Sequence, residues 1–366
     1  LNTLRAFSAM GVVIEGSTVD GQVVIHGVGI NGLKRPEAAL DVGNSGTSMR
    51  LMSGLLAGQS FDVELSGDRS LSKRPMKRVT DPLALMGAEI KCADKGRPPL
   101  IIKGGQPLRG ISYDMPMASA QVKSCVLLAG MYAEGQTCIR EPAPTRDHTE
   151  RMLTAFGYPV TSKDSLICLE GGGRLTACDI DVPGDISSAA FFMVAASIAE
   201  GSDLTLQHVG INPTRTGIID ILKLMGASIE LLNRREVGGE PVADIRICSR
   251  QLKGVIIPEH LVPLAIDEFP VIFVAAACAE GETVITGAEE LRVKESDRIQ
   301  VMADGLQILG VDAQPTADGM VVRGGAIRGG KVHARAGHRI AMAFTVAALR
   351  ASSDISFQGF RKFNNS

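Results

Sequence analysis

Met10-Gly11-Val12-Val13-Ile14, Met86-Gly87-Ala88-Glu89-Ile90, Phe156-Gly157-Tyr158-Pro159-Val160, Met225-Gly226-Ala227-Ser228-Ile229 and Leu309-Gly310-Val311-Asp312-Ala313 are five versions of one pattern. Each has a large apolar residue, then glycine, then two residues and another apolar one. Helical stripes lead into them: Leu4, Phe7 and Met10; Ile218, Ile221, Leu222 and Met225; Ile299, Met302, Leu306 and Leu309. The glycine suits a helix C′ position, after which a β-rich run begins. A second series alternates with the first: an apolar, small-residue helix closed by Gly58, Gly135, Gly201 or Gly281, with Ser352 in the fifth slot. Three of these glycines end an Ala-Glu-Gly tripeptide led by Ala133, Ala199 and Ala279. Both series step by roughly 66 to 84 residues, so they belong to one repeat.

Strands are expected at Phe61–Leu65, Thr137–Arg140, Leu204–Gln207 and Thr283–Thr286, so each unit reads as helix–strand–helix–strand around buried helices. The class is α/β, an α+β repeat. Near Met86 the pattern is weaker, because Pro82 falls in the helix interior; Asp81-Pro82 would restart the helix there. Gly171-Gly172-Gly173 and Val182-Pro183-Gly184-Asp185 mark a domain break near residue 180. The expected domains are 1–180, with three copies, and 181–366, with two. Residue 1 falls inside an amphipathic helix whose apolar partner helix is missing, so the first unit reads as incomplete. A sixth unit would make the domains equal, its missing parts upstream of residue 1 or partly past residue 366.

At 366 residues both domains can bury a core. The balance of 38 basic against 40 acidic residues argues against a nucleic-acid or membrane-surface role. The densest basic stretch, Arg69, Lys73, Arg74, Lys77 and Arg78, lacks interleaved aromatics and suits a solvated face or a small-anion site. Seven cysteines, an odd number without CxxC spacing, read as small hydrophobic thiols of a reducing cytoplasm. Apolar runs such as Ala189–Ala196 are too short to span a bilayer. Six dispersed histidines offer no metal-binding pattern. Gly27-Val28-Gly29-Ile30-Asn31-Gly32 matches a dinucleotide fingerprint in letters, but Leu33-Lys34-Arg35-Pro36 follows where a helix is needed.

The start of each apolar helix is polar: Asn44-Ser45-Gly46-Thr47, Ser119-Ala120-Gln121, Asp185-Ile186-Ser187-Ser188, Asp267-Glu268 and His338-Arg339. Capping accounts for the Ser, Thr, Asn and Asp residues, and for 185–188 entirely. It does not account for Arg50, Gln121 or Arg339. Helix N-termini offer free N–H groups and a positive dipole end, so several facing one cleft, with arginines added, describe a site for a multiply anionic small substrate. Arg292-Val293-Lys294-Glu295-Ser296-Asp297-Arg298 is either a solvated, salt-bridged helix start or a second part of that site. In the latter case Lys294 and Arg298, four apart, share one helical face and grip an anion, while Glu295 does proton chemistry.

With these segments assembled, the chain resembles the 5-enolpyruvylshikimate-3-phosphate synthase family of enolpyruvyl transferases. The resemblance rests on residues 44–50, Ser70-Leu71-Ser72-Lys73-Arg74-Pro75-Met76, Met117-Ala118-Ser119-Ala120-Gln121, residues 292–298 and His338-Arg339-Ile340-Ala341-Met342. It implies the two-domain enolpyruvyl transferase fold, with βαβαββ units around buried helices, closing over the substrates. The implied reaction moves the enolpyruvyl group of phosphoenolpyruvate to the 5-hydroxyl of shikimate 3-phosphate and releases phosphate, on the route to chorismate and aromatic amino acids. By resemblance, Ser119, Ala120, Gln121, Asp267 and Lys294 hold shikimate 3-phosphate. Asn44, Gly46, Thr47, Arg74, Gln121, Arg298 and Arg339 hold phosphoenolpyruvate. Asp267 takes the proton of the attacking hydroxyl, and Glu295 protonates the methylene carbon. No cofactor or metal is implied, and the expected protein is a cytoplasmic monomer when complete, a glyphosate target, without nucleic-acid or membrane partners.

The sequence departs from the family pattern at three places. The N-terminal Lys-Ser-x-x-x-Arg helix, which binds both substrates, does not occur in it. Gly337 stands where Asp usually precedes His-Arg, and the sequence stops about where the closing Ser-Phe-Pro segment would begin. Two alternatives follow: a truncated, non-catalytic anion-binding module, and the sister transferase acting on UDP-N-acetylglucosamine. The sister usually carries a loop Cys shortly before the Arg74 position, and residues 67–74 contain none.

Overall fold

The five repeated glycines all adopt left-handed backbone, with φ from +77° at Gly157 to +100° at Gly87. Each closes its helix in the same way. At Gly226 the glycine N–H reaches the Lys223 carbonyl, and the next N–H, of Ala227, reaches back to Leu222. The same pair of bonds recurs after Phe7, Leu83, Leu153 and Leu306. This is the Schellman closure, which favours glycine at C′ because a Cβ in this conformation crowds the chain.

The computed structural model describes residues 2–17, 22–294, 296–334 and 337–358. It separates into two compact units, Leu1–Asp179 and Ile180–Ser366. In the first, α1 (Asn2–Ala9) leads to the antiparallel hairpin β1 (Ile14–Ser17) and β2 (Gln22–Ile25). A full repeat follows: β3 (Leu40–Asp41), α2 (Gly46–Ala57), β4 (Val63–Ser66), α3 (Lys77–Leu85), β5 (Ile90–Ala93) and β6 (Arg97–Ile102). The next is β7 (Ser112–Asp114), α4 (Ala120–Gly130), β8 (Gln136–Arg140), α5 (His148–Ala155), β9 (Val160–Lys163) and β10 (Leu166–Glu170). Their sheets run β3-β4-β6-β5 and β7-β8-β10-β9. In each, the first two strands pair in parallel across the apolar helix and the remaining pairs are antiparallel. The unit is therefore β-α-β-α-β-β.

The second unit repeats the scheme with α6 (Ile186–Ile198), β11 (Asp203–Gly210), α7 (Gly217–Leu224), β12 (Ser228–Val237) and β13 (Glu240–Cys248). Then come α8 (Phe269–Ala277), β14 (Glu282–Ile285), α9 (Arg298–Ile308), β15 (Asp312–Pro315) and β16 (Met320–Arg323). The last elements are β17 (Gly330–His333), α10 (His338–Ala347) and β18 (Ile355–Gln358), with β17 and β18 parallel. Single parallel bridges, Gly184 to Val209 and Ile256 to Val284, stand where the first strand of a repeat would lie.

The core of each unit is its apolar helices. All nine residues of α8 are buried, as are most of α4 and α6. Small residues let the helices approach closely: a Cβ on Gly54 of α2 would lie 2.0 Å from the Cys125 carbonyl oxygen of α4. The run Ala189–Ala196 thus belongs to a buried helix, and no helix among the described residues is long and apolar enough to cross a membrane.

Three expectations change. Helix α3 runs unbroken through Pro82; the N–H that proline lacks would have bonded Arg78, in the helix's first turn. The Ala-Glu-Gly glycines do not close the apolar helices. α4 ends at Gly130, and Gly135, at φ +83°, turns the chain into β8. Two cysteines are not thiols: Cys138 and Cys168 face each other on β8 and β10 and are joined by a disulfide. Cys92, Cys125, Cys178, Cys248 and Cys278 are free.

Candidate active site

In the first unit the chain brings the N-termini of α2 and α4 together through one polar network. Ser45 caps α2, its hydroxyl accepting from the Ser48 N–H at 3.1 Å, and Ser119 caps α4 by accepting from Val122 N–H at 3.4 Å. Gln121 ties the two ends: its amide nitrogen donates to Thr47 Oγ1 at 2.7 Å and its oxygen accepts from Arg50 Nη1. Arg74, just past the turn Leu71–Lys73, donates to Asn44 Oδ1 at 2.9 Å, and Asn44 in turn donates to Asp68 at 2.8 Å. Gly46 is buried beneath these side chains, and a Cβ there would sit 3.2 Å from Arg74 Nη1 and 3.6 Å from Arg50 Nη1.

The electrostatics here are one-sided. Burial, then the charges of Arg78 and Arg74, hold the Arg50 guanidinium below its usual pKa. Among the described residues none of these three arginines has a carboxylate within ion-pair distance. Three cations and two helix N-termini without a counter-anion favour binding of an anion. In the sequence Arg50 stands out as unexplained by capping but has no assigned role, and Arg78 belongs to a basic stretch that suits a solvated face or a small-anion site equally. Only their tertiary placement links them to Gln121 and Arg74.

In the second unit Asp267 and Glu268 precede α8, and Glu268 is 3% exposed. Arg298, the first residue of α9 and 4% exposed, donates to Asp267 Oδ1 at 3.4 Å. Arg339, second in α10, donates to the Asp267 carbonyl at 3.1 Å and lies 3.9 Å from Glu268 Oε1. Glu268 also accepts from the Ser187 hydroxyl, and Ser187 and Asp185 accept from Arg215 Nη2 at 2.6 and 2.7 Å. Burial first, and the neighbouring Asp267 charge, push the Glu268 carboxyl up, against Ser187, Arg339 and Arg215. Residues 185–188 therefore do more than cap α6; Glu268 stood out in the sequence only as part of a polar helix start, and nothing local sets Arg215 apart.

Lys294 and Arg298 do not share a helical face. Lys294 ends the turn Glu289–Val293 in extended backbone and pairs with Glu290, and α9 begins only at Arg298 under an Asp297 cap. Arg292 is structural, held by Asp297 at 2.6 Å and by the Ala317 carbonyl at 2.7 Å. Glu295 lies outside the described residues. Gly337 caps α10 without a side chain.

Repeated β-α-β-α-β-β units with arginines gathered at the N-termini of buried helices are suited to an enzyme that acts on small anionic substrates, the class to which the enolpyruvyl transferases that the chain resembles belong. The comparisons narrow this. The profile of EPSP synthase (3-phosphoshikimate 1-carboxyvinyltransferase) matches residues 1–366. The 3-phosphoshikimate 1-carboxyvinyltransferase of Methylococcus capsulatus is 68% identical over 351 residues, 96% of this chain and 80% of that protein. The enzyme of the same name from Alkalilimnicola ehrlichii is 65% identical over 100% of this chain and 82% of its own length. The structure of EPSP synthase from Acinetobacter baumannii superposes with a TM-score of 0.90 at 60% identity, covering 98% of this chain and 82% of that one. The chain belongs to the EPSP synthase family, the 3-phosphoshikimate 1-carboxyvinyltransferases of the shikimate pathway. This identity favours the transferase over both the UDP-N-acetylglucosamine enzyme and a non-catalytic anion-binding module.

Proposed function

We propose that the site residues act as follows. Asn44, Gly46, Thr47, Arg74, Gln121, Arg298 and Arg339 bind phosphoenolpyruvate, whose planar carboxylate and phosphate suit bidentate guanidinium contacts. Ser119, Ala120, Gln121, Asp267 and Lys294 bind shikimate 3-phosphate; Lys294 exchanges its Glu290 partner for the ligand. The observation that carries this reading is the uncompensated charge of Arg50, Arg74 and Arg78 beside the Gly46 and Gln121 network.

Asp267 accepts the proton of the 5-hydroxyl as its oxygen attacks C2 of phosphoenolpyruvate, and Glu295 supplies a proton to the methylene carbon. The resulting tetrahedral adduct loses phosphate from C2 and a proton from the methyl carbon, leaving the enolpyruvyl ether. Arg298, 3.4 Å from Asp267 Oδ1, holds the carboxylate in place for this transfer. The remaining expectations, a cytoplasmic monomer inhibited by glyphosate, belong to the same reading. The test is phosphate release with both substrates and with each alone. Release that needs both supports the assignment; release without shikimate 3-phosphate refutes it.

A further inference from the structure

Lys123 is 1% exposed, an extreme position for an ammonium group. It lies on α4 one turn beyond Ser119, and its Nζ sits 3.0 Å from Glu141 and 2.6 Å from Glu150, both buried. Glu141 directly follows β8 and Glu150 lies in the first turn of α5, so the triad spans both ends of the segment 141–147. Two more bonds accompany it, one inside the segment and one between α4 and α5. Thr145 Oγ1 donates to Glu141, and the Ser124 and Thr149 hydroxyls meet at 2.7 Å.

The triad is poorly explained by stability. Replacing buried ions with apolar groups of similar volume is often neutral or favourable, and here one ammonium faces two carboxylates. Glu150 Oε2 is buried without a hydrogen-bond partner, and burial holds the Glu150 carboxyl above its usual range against the pull of Lys123. What such a triad supplies is a fixed position, since each bond is directional and leaving any member unpaired is costly. The element it fixes is segment 141–147 against the α4 N-terminus that carries Ser119, Ala120 and Gln121.

We propose that Lys123, Glu141 and Glu150 form a positioning clamp that sets the affinity for shikimate 3-phosphate by holding segment 141–147 beside Ser119–Gln121. The clamp rests on the reading of those three residues as shikimate 3-phosphate ligands. None of its members touches substrate. Glu141 is the member to remove, because its loss frees Thr145 yet leaves Lys123 and Glu150 as a one-to-one pair, relieving the surplus negative charge.

The experiment measures kinetics for both substrates, shikimate 3-phosphate binding by calorimetry, hydrogen exchange over 142–147 and Tm. For Glu141→Ala the expectation is a rise of about tenfold in Kd and KM for shikimate 3-phosphate, with kcat and the phosphoenolpyruvate KM within about threefold. Exchange over 142–147 becomes faster while Tm stays near wild type. Glu141→Leu, which refills the volume, should behave alike if the alanine variant does not fold. Glu141→Gln, which keeps an acceptor for Thr145 and Lys123, should restore binding. A lowered Tm with unchanged shikimate 3-phosphate binding would reduce the triad to scaffold and overturn the clamp. Gln121→Ala separates the two readings. If it weakens binding and Glu141→Ala does not, the clamp alone fails; if it also leaves binding unchanged, the ligand assignment fails and the clamp with it.

Discussion

Gly46 shows how one absent methyl group shapes the site. It opens α2, where alanine would be a better helix former, yet a Cβ would reach 3.2 Å from the Arg74 guanidinium. The neighbouring atom is the end of a flexible side chain, so it yields and the fold survives, but Arg74 leaves its place beside Asn44. Gly46→Ala should therefore raise the phosphoenolpyruvate KM about tenfold, the worth of one charge-assisted contact, with Tm unchanged. A larger effect on shikimate 3-phosphate would show that Arg74 serves the other ligand. Asp267→Asn keeps the shape of the side chain next to Arg298 but removes its basicity. Turnover should fall about 10²- to 10⁴-fold while shikimate 3-phosphate binding stays within a few-fold. Parallel losses in turnover and binding would remove the general-base role. The types of these residues were legible in the sequence. Their partnerships were not, because Arg50 and Gln121 lie 71 positions apart and only the packing of α2 on α4 brings them together.

At the scale of the element, the repeated glycine is the clearest signal the chain carries. At Gly226 the backbone stands at φ +87°, and the nearest atom to a Cβ, the Gln251 carbonyl oxygen, is 4.0 Å away. Nothing would clash, so Gly226→Ala isolates the conformational term, and it should lower unfolding stability by about 1–2 kcal/mol. Denaturant midpoints with an unchanged slope would measure it; no shift would mean the Schellman bonds, not the glycine, carry the turn. The helix stripes and strand positions were readable for the same reason: periodicity and a left-handed stop are local properties. Other features were not local. A glycine between helix and strand can serve either element, which is why Gly135 read as the stop of α4 although it opens β8. The four-residue spacing of Lys294 and Arg298 implied one face only if the backbone between them were helical, and the Asp297 cap places the helix start after Lys294. Cys138 and Cys168 became a pair through strand register, which no spacing of cysteines reveals.

Over the whole molecule, buried carboxyls give stability a pH dependence whose sign can be worked out. Glu150 in the first unit and Glu268 in the second are both held above their usual range, chiefly by burial. A carboxyl whose folded pKa is raised contributes stability that is fully present below its unfolded pKa, about 4.3, and lost as pH rises through the folded value. Asp185 works in the opposite direction. Burial pushes it up, but the Arg215 charge and hydrogen bonds from Arg215, Ser188 and Ser187 prevail and lower it, so its contribution is present above the unfolded pKa and lost in acid. The two glutamates therefore oppose stability at neutral and alkaline pH, where Asp185 supports it. Glu150→Gln should reveal this, since glutamine fills the same space without a charge and leaves Lys123 paired one-to-one with Glu141. Its Tm should match or exceed wild type at pH 8, and the difference should shrink as the pH falls toward 4.5. A difference that grew in acid would mean that Glu150 is ionised in the fold and stabilised by Lys123 beyond the penalty of its burial. Glu268→Gln should follow the same slope, because its carboxyl is raised for the same reason. If only one variant does, the other glutamate is solvated or compensated by the arginines around it.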